Sequence, residues 1–324
     1  MILITGGTGF VGSHLVEAAC ARGERVRCLI RRDSFKRHRY TLPAEVELVS
    51  GDLVSGEGLK EALEGAGSVI HLAGVTKALA TSEFYAGNAR ATENLARAVA
   101  GRGIRLVHVS SLAAIGPSSD GTPVSEDAAP HPITHYGKSK LEGERIARAL
   151  VPDVVIVRPA VVYGPRDTDV LEIFKSISRG LVLEIAGGER WFQAIYVKDL
   201  ADGLLVAAAA PQAGGRAYFL AHAKAVSWSE LSSAAARSMR KRKRIVRIPA
   251  PLAYAVGGLA EVCSRLTGKP TIITREKVRE ARCRYWTCDT RRAAQELGFE
   301  AQTPLELGLA QTLAWYKEAG WLKY

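Results

Sequence analysis

The first residues constrain this chain more than any later stretch. "MILITGGTGFVGSHL" runs a short apolar segment straight into Gly6, Gly9 and Gly12, and from there into a helix-forming segment. Each glycine has a task at such a junction: a tight turn, close approach of backbone to a pyrophosphate, and close packing of helix on strand. Unpaired N–H groups and the positive end of the helix dipole suit phosphates. A glycine turn that merely joins strand to helix is the plainer reading, but this placement favours a dinucleotide site.

Downstream, "RVRCLI", "VELVS", "SVIHLA", "RLVHVS" and "VVIVRP" alternate with Ala/Leu/Glu-rich stretches. Their apolar runs are continuous, as in strands buried on both faces. The pattern predicts an α/β fold, a doubly wound parallel sheet that binds ligands beyond the carboxyl ends of its strands. After Gly164 and Pro165 the pattern loosens, and from about Ser227 it reads as mostly helical. The expected division is a dinucleotide-binding domain, 1–164 plus about 193–222, and a smaller, mostly helical substrate lobe, about 165–192 plus 223–324.

Among the 324 residues, the five cysteines form no C-x-x-C pair, so reduced structural thiols and no metal site are expected. The opening strand leaves no room for a signal segment, and no apolar run reaches the length of a membrane span. A cytoplasmic protein is the expectation. The net charge of +11 favours acidic partners without choosing among phosphorylated cofactors, nucleic acid and an anionic membrane.

The end of the second strand should report the dinucleotide. There "LIRRDS" offers Arg31 and Arg32, which suit a 2′-phosphate and favour NADP. Asp33, slightly late, could instead grip the free ribose of NAD. Asp52, at the tip of the third strand, could meet an adenine amino group or simply close an exposed turn.

In "HYGKSKLEGER", Tyr136 and Lys140 stand four apart and so share a helix face. Together with "TGGTGFVG", "GDL" at 51–53, "HLAG" at 71–74, "VSSLAAIG" at 109–116, "RPAVVYGP" at 158–165 and "YVKDLADG" at 196–203, this segment resembles the extended short-chain dehydrogenase/reductases. The resemblance spans nearly the whole chain and implies a Rossmann-type fold. It implies that Ser111, Tyr136 and Lys140 form the reacting group and that Asn88 supports the lysine. It further implies cofactor contacts from Gly6, Thr8, Gly9, Phe10, Val11, Gly12, Leu53, Leu72, Ala73, Gly74, Lys140, Pro159 and Val162. A helix-initiating role for Asn88 and strand-end packing for Pro159 and Val162 are the competing readings.

The chemistry of these side chains agrees with that role. A phenol ordinarily ionises near pH ~10, and an adjacent ammonium would favour the phenolate, so Lys140 is expected to lower the pKa of Tyr136. Tyr136 could then serve as general base to a hydroxyl or general acid to a ketone, with Ser111 fixing the carbonyl oxygen. A sensor that binds NADP without turnover has no need of all three side chains.

Relatives that dehydrate carry an acidic pair where Leu112 and Ala113 stand, so dehydration is not expected. Nucleotide-sugar epimerases with retained NAD place a diphosphate-binding arginine at the position of Phe192, although Arg190 could substitute. The sequence most resembles the dihydroflavonol reductase and 3β-hydroxysteroid dehydrogenase branch, which implies an alcohol or ketone of a largely apolar small molecule as substrate. Relatives also imply a homodimer.

Last, the basic run Arg237 to Arg247 precedes an apolar segment, Ile248 to Leu266. That pairing could dock on an anionic bilayer, or it could be a solvated strand or turn followed by a core helix of the small lobe. Nucleic acid is not expected as a partner, because no nucleic-acid module accompanies the basic run.

Overall fold

A computed structural model of the chain describes residues 1–31 and 42–324. Six strands fill the first half: β1 Ile2–Thr5, β2 Val26–Ile30, β3 Glu47–Ser50, β4 Ser68–His71, β5 Arg105–Val109 and β6 Val155–Pro159. Eight further ones follow: β7 Val161–Tyr163, β8 Leu181–Ile185, β9 Trp191–Phe192, β10 Ala194–Tyr196, β11 Ala217–Leu220, β12 Val226–Ser227, β13 Arg244–Ile248 and β14 Tyr285–Trp286.

The main sheet runs β11-β6-β5-β4-β1-β2-β3, and every pairing in it is parallel. Alternate residues of each strand feed opposite faces. Ile2, Ile4, Val107, Val109, Val155 and Val157 pack under the helix Phe10–Ala21 and the helix Val197–Ala209, whereas Leu3, Val69, Leu106 and Ile156 pack against Leu95 and Ala147 on the other side. This is a doubly wound, Rossmann-type order. The chain reverses direction between β1 and β4, the place where such sheets bind ligands.

A third apolar cluster belongs mostly to later residues, among them Phe174, Val182, Leu231, Leu313 and Tyr316. Two segments of the second half stand out. The apolar run at 191–197 breaks into β9 and β10 because Gln193 turns inward, its amide donating to the carbonyls of His222 and Ala223 and its oxygen accepting from Cys288 N. The end of the basic run forms a solvated strand, as one of its two readings has it: β13, paired in parallel with β8.

Candidate active site

The site begins with the glycine loop between β1 and the helix Phe10–Ala21. Gly6 holds φ +75°, and a Cβ there would come within 2.7 Å of Ala73 N; at Gly12 a Cβ would lie 2.0 Å from the Gly6 carbonyl oxygen. Neither position tolerates a side chain. The helix starts at Gly9 without a side-chain cap, so its first N–H groups remain available to an anion. From the far wall, Arg166 reaches this helix at Ser13 Oγ (3.1 Å) and Glu17 (2.5 Å), while its own backbone sits in the left-handed region at φ +73°. His14 Nε2 donates to the Pro165 carbonyl at 2.9 Å, a second clamp between the same segments.

A cavity of about 990 Å³ extends from this loop across the carboxyl ends of the strands. Of the residues expected at the cofactor, Gly6, Gly9, Phe10, Val11 and Gly12 line it, as do Leu72 and Gly74 after β4 and Pro159 and Val162 near β6 and β7. Asn88, Ser111, Tyr136 and Lys140 line the same space. Thr8, Arg31, Asp52, Leu53 and Ala73 do not. Asp52 Oδ1 accepts from Val54 N (2.6 Å) and Ser55 N (3.2 Å) and so closes a turn. Leu53 packs into the core, and Ala73 N donates to Thr5 Oγ1 at 3.3 Å. Arg31 is exposed just past the end of β2, and Arg32 and Asp33 lie outside the described residues.

Tyr136 stands in the first turn of the helix His135–Leu150, whose start is fixed twice over. Thr134 Oγ1 accepts from Gly137 N at 3.2 Å, and both oxygens of Glu276 accept from His135 N at 3.1 Å. Thr134 also donates to Glu280 at 3.2 Å, so the helix Arg275–Arg282 is fastened across the mouth of the cavity. Ser111 caps the turn Leu112–Ala114, accepting from Ala113 N at 3.1 Å, and its hydroxyl draws the Tyr136 pKa down.

In the free protein the Lys140 side chain is tied to β5. Its Nζ donates to the Val109 carbonyl at 2.7 Å, and burial brings its pKa down to about 8. Burial pushes the Tyr136 phenol up, opposed by the Ser111 hydrogen bond and by the ammonium of Lys277. The Tyr136 pKa therefore lies above its ordinary value in the free protein, opposite to the lowering expected of Lys140, so the phenol is protonated at neutral pH. Burial works against the charge of Lys277, but the Glu280 carboxylate, with Tyr136 and Asp169, carries its pKa up.

Asn88 does not initiate a helix either. It sits in a π-turn, Ala86–Arg90, between the helices Thr81–Tyr85 and Ala91–Val99. There its side chain accepts from Val75 N (2.8 Å) and donates to Val75 O and Ser139 Oγ (both 2.9 Å), and a widened turn of this kind often marks a functional position. Ser139 neighbours Lys140, so Asn88 ties the loop after β4 to the helix that carries the lysine. One turn further on, the buried Glu144 pairs with Arg158 through two hydrogen bonds of 2.9 and 2.7 Å. Burial would raise Glu144, yet the guanidinium holds its pKa below the ordinary value.

Several residues here have no motif to announce them. Glu276, Lys277 and Glu280 belong to "REKVREAR", which reads as an ordinary solvated helix. Asp167 is buried in the cavity wall, and burial pushes its pKa up to about 7. Lys77, after β4, forms an ion pair with Asp169 across the cavity. Arg190 does not substitute for a diphosphate-binding arginine, because its guanidinium is bound to the carbonyls of Ala281 (2.5 Å), Gly188 (2.6 Å) and Ala186 (3.3 Å). Among the described residues no cluster of His, Cys, Asp and Glu could hold a metal ion.

This arrangement fits a dinucleotide: a cradle without side chains at Gly6 and Gly12, an uncapped helix start, and one cavity leading from there to Ser111, Tyr136 and Lys140. The known proteins it resembles point to nicotinamide chemistry. The chain is 34% identical to the ceramide reductase of Caulobacter vibrioides (strain NA1000 / CB15N) over 322 residues, covering 99% of this chain and 96% of that one. It is 26% identical to the N-acetyl-alpha-D-glucosaminyl-diphospho-ditrans,octacis-undecaprenol 4-epimerase of Escherichia coli O157:H7, covering 96% and 94%. Among solved structures, MoeE5 in complex with UDP-glucuronic acid and NAD superposes with a TM-score of 0.77 at 26% identity, covering 98% and 99%. Residues 2–221 match the profile of the NAD dependent epimerase/dehydratase family. The chain belongs to that family, and it is an enzyme of its nicotinamide-dependent dehydrogenase and epimerase type.

Proposed function

We propose that the protein is an NADPH-dependent reductase of a ketone carried on a largely apolar, lipid-like small molecule, and that Ser111, Tyr136 and Lys140 perform the reaction. The observation that carries this reading is the shared cavity: Ser111, Tyr136 and the buried Lys140, tied to the Val109 carbonyl, line the space that starts at the glycine loop. A phenol kept protonated by burial is poised to give a proton to a carbonyl oxygen rather than to take one from an alcohol. The bound nicotinamide supplies the hydride. Ser111 holds the carbonyl oxygen next to the phenol, and Lys140, charged below about pH 8, stabilises the phenolate left behind. Phe84, Val161 and Ile272 give the cavity apolar wall, and the similarity to a ceramide reductase supports a long-chain substrate.

Arg31 at the end of β2, with Arg32 beside it in sequence, supports NADP over NAD. The residues after 164, apart from the returning strands, serve in this reading as the substrate lobe, and by resemblance the enzyme works as a homodimer. A nucleotide-sugar epimerase is the second reading, supported by the E. coli and MoeE5 similarities and weakened by the engagement of Arg190. The two separate on one bench. Titrate the purified protein with NADPH and NADH, then supply a long-chain 3-oxo amide. Tighter binding of NADPH and its consumption with alcohol formation support the reductase. Co-purified NAD, with no net consumption while a UDP-sugar is interconverted, refutes it.

A further inference from the structure

The helix Ala250–Thr267 is amphipathic in the reverse sense. Its large aliphatic side chains, Leu252, Val256, Leu259, Val262 and Leu266, are 55, 48, 67, 53 and 82% exposed. Steps of three and four residues keep all five on one helix face. Its buried side chains are small, Ala253, Gly257 and Ser264, while Tyr254 and Glu261 look into the catalytic cavity. A surface helix ordinarily buries its aliphatic stripe, so this one is built for a second apolar medium outside the protein. The pattern continues into β13, which leads into the helix through Pro249 and leaves Ile245 and Val246 exposed beside Leu183 of β8.

Charge tells what that medium is. Between Arg237 and Arg275 the sequence holds ten lysines and arginines and a single acidic residue, Glu261, which Arg275 binds at 2.8 Å. Arg237, Arg240, Lys241, Arg242, Arg244 and Arg247 are exposed. A second copy of this chain seated on the stripe would bring two such runs together, and like charges repel. A nucleic acid would answer the charge but not the aliphatic row. We propose that this face docks on an anionic lipid bilayer, with the stripe sunk among the acyl chains and the basic run against the headgroups.

The place of the face in the molecule gives the docking a use. Beside the catalytic cavity a shallow groove runs between this helix and the helix Asp169–Ser178, and the two spaces share Lys77, Thr168, Ser264, Thr271 and Ile272. A lipid chain leaving the bilayer at the stripe would meet this groove first. The docking itself rests on the surface alone and stands whichever ketone is reduced. Among the described residues no helix is long and apolar enough to cross a membrane, so attachment would be peripheral.

The test is co-sedimentation of the full chain with phosphatidylcholine vesicles, with and without phosphatidylglycerol, at low and high salt. The wild type should pellet with the anionic vesicles and stay in the supernatant with neutral ones, and salt should release it. L259S/L266S should lose about tenfold or more of that binding, with NADPH affinity and thermal midpoint unchanged. Wild type left in the supernatant with anionic vesicles at low salt would overturn the proposal, and so would undiminished binding by L259S/L266S. A dimer in sedimentation velocity that the same variant splits would overturn it too, since a second copy would then cover the stripe.

Discussion

The helices Phe10–Ala21 and Ala250–Thr267 border the same cavity, and they face opposite ways. The first buries Leu15, Val16 and Ala19 under the sheet and turns its uncapped first turn to the cavity. The second turns small residues inward and its leucines outward. One end of the site is thus held by the core and cannot move without unfolding it. The other buries only Ala253, Gly257 and Ser264.

Substitutions can break or sharpen this contrast, and the largest effect should fall on the inner side. Arg158→Met would remove the buried partner of Glu144 on the catalytic helix, leaving only Arg148 at its edge (3.2 Å), and should cost about 3–5 kcal/mol in chemical denaturation. A cost near zero would mean that the pair contributes little to holding the helix.

Next comes one substitution made on both helices. Leu15→Ala removes a fully buried side chain and should cost about 2–5 kcal/mol, whereas Leu259→Ala should change stability by less than about 0.5 kcal/mol. Equal costs would show that the outer helix is packed after all. Removal of the cap in Glu276→Ala should follow at about 1 kcal/mol, read as a modest fall in thermal midpoint and a weaker KM for the ketone. A stronger fall in kcat than in KM would give Glu276 a part in the chemistry.

The smallest effect is a slope. Lys140 has a folded-state pKa of about 8, below its ordinary 10.5, so between those values the unfolded chain binds more protons than the folded one. Its contribution to stability is therefore unfavourable below about pH 8 and is relieved as pH rises from about 8 to 10.5. Stability measured across that window should rise less in Lys140→Met than in wild type, and identical slopes would contradict the buried, poorly solvated lysine. Ketone reduction, in contrast, should decline above about pH 8 as the same group loses its charge.

How much of this was legible in the sequence follows the same division. The glycine loop and the parallel strands could be read because backbone rules leave few alternatives: Gly6 and Gly12 have no room for a Cβ, and strands buried on both faces carry continuous apolar runs. Tyr136 and Ser111 could be read through their motifs. What Lys140 bonds to could not, because its spacing from Tyr136 says nothing about a carbonyl on β5. Spacing likewise places an aliphatic stripe on the segment 250–267 without saying which side meets the protein; a core helix is the reading it favours, and the exposed leucines overturn it. Arg190 and Glu276 are fixed by partners about 90 and 140 residues away in the chain, a distance that local patterns do not span.

The central claim is that Tyr136 gives the proton in a reduction. Its most direct test is to compare Tyr136→Phe with wild type in single-turnover consumption of NADPH with the long-chain ketone, alongside NADPH affinity. The account expects a loss of rate of about 10²–10⁴-fold with cofactor affinity nearly unchanged. A variant that still reduces the ketone at a comparable rate would contradict it.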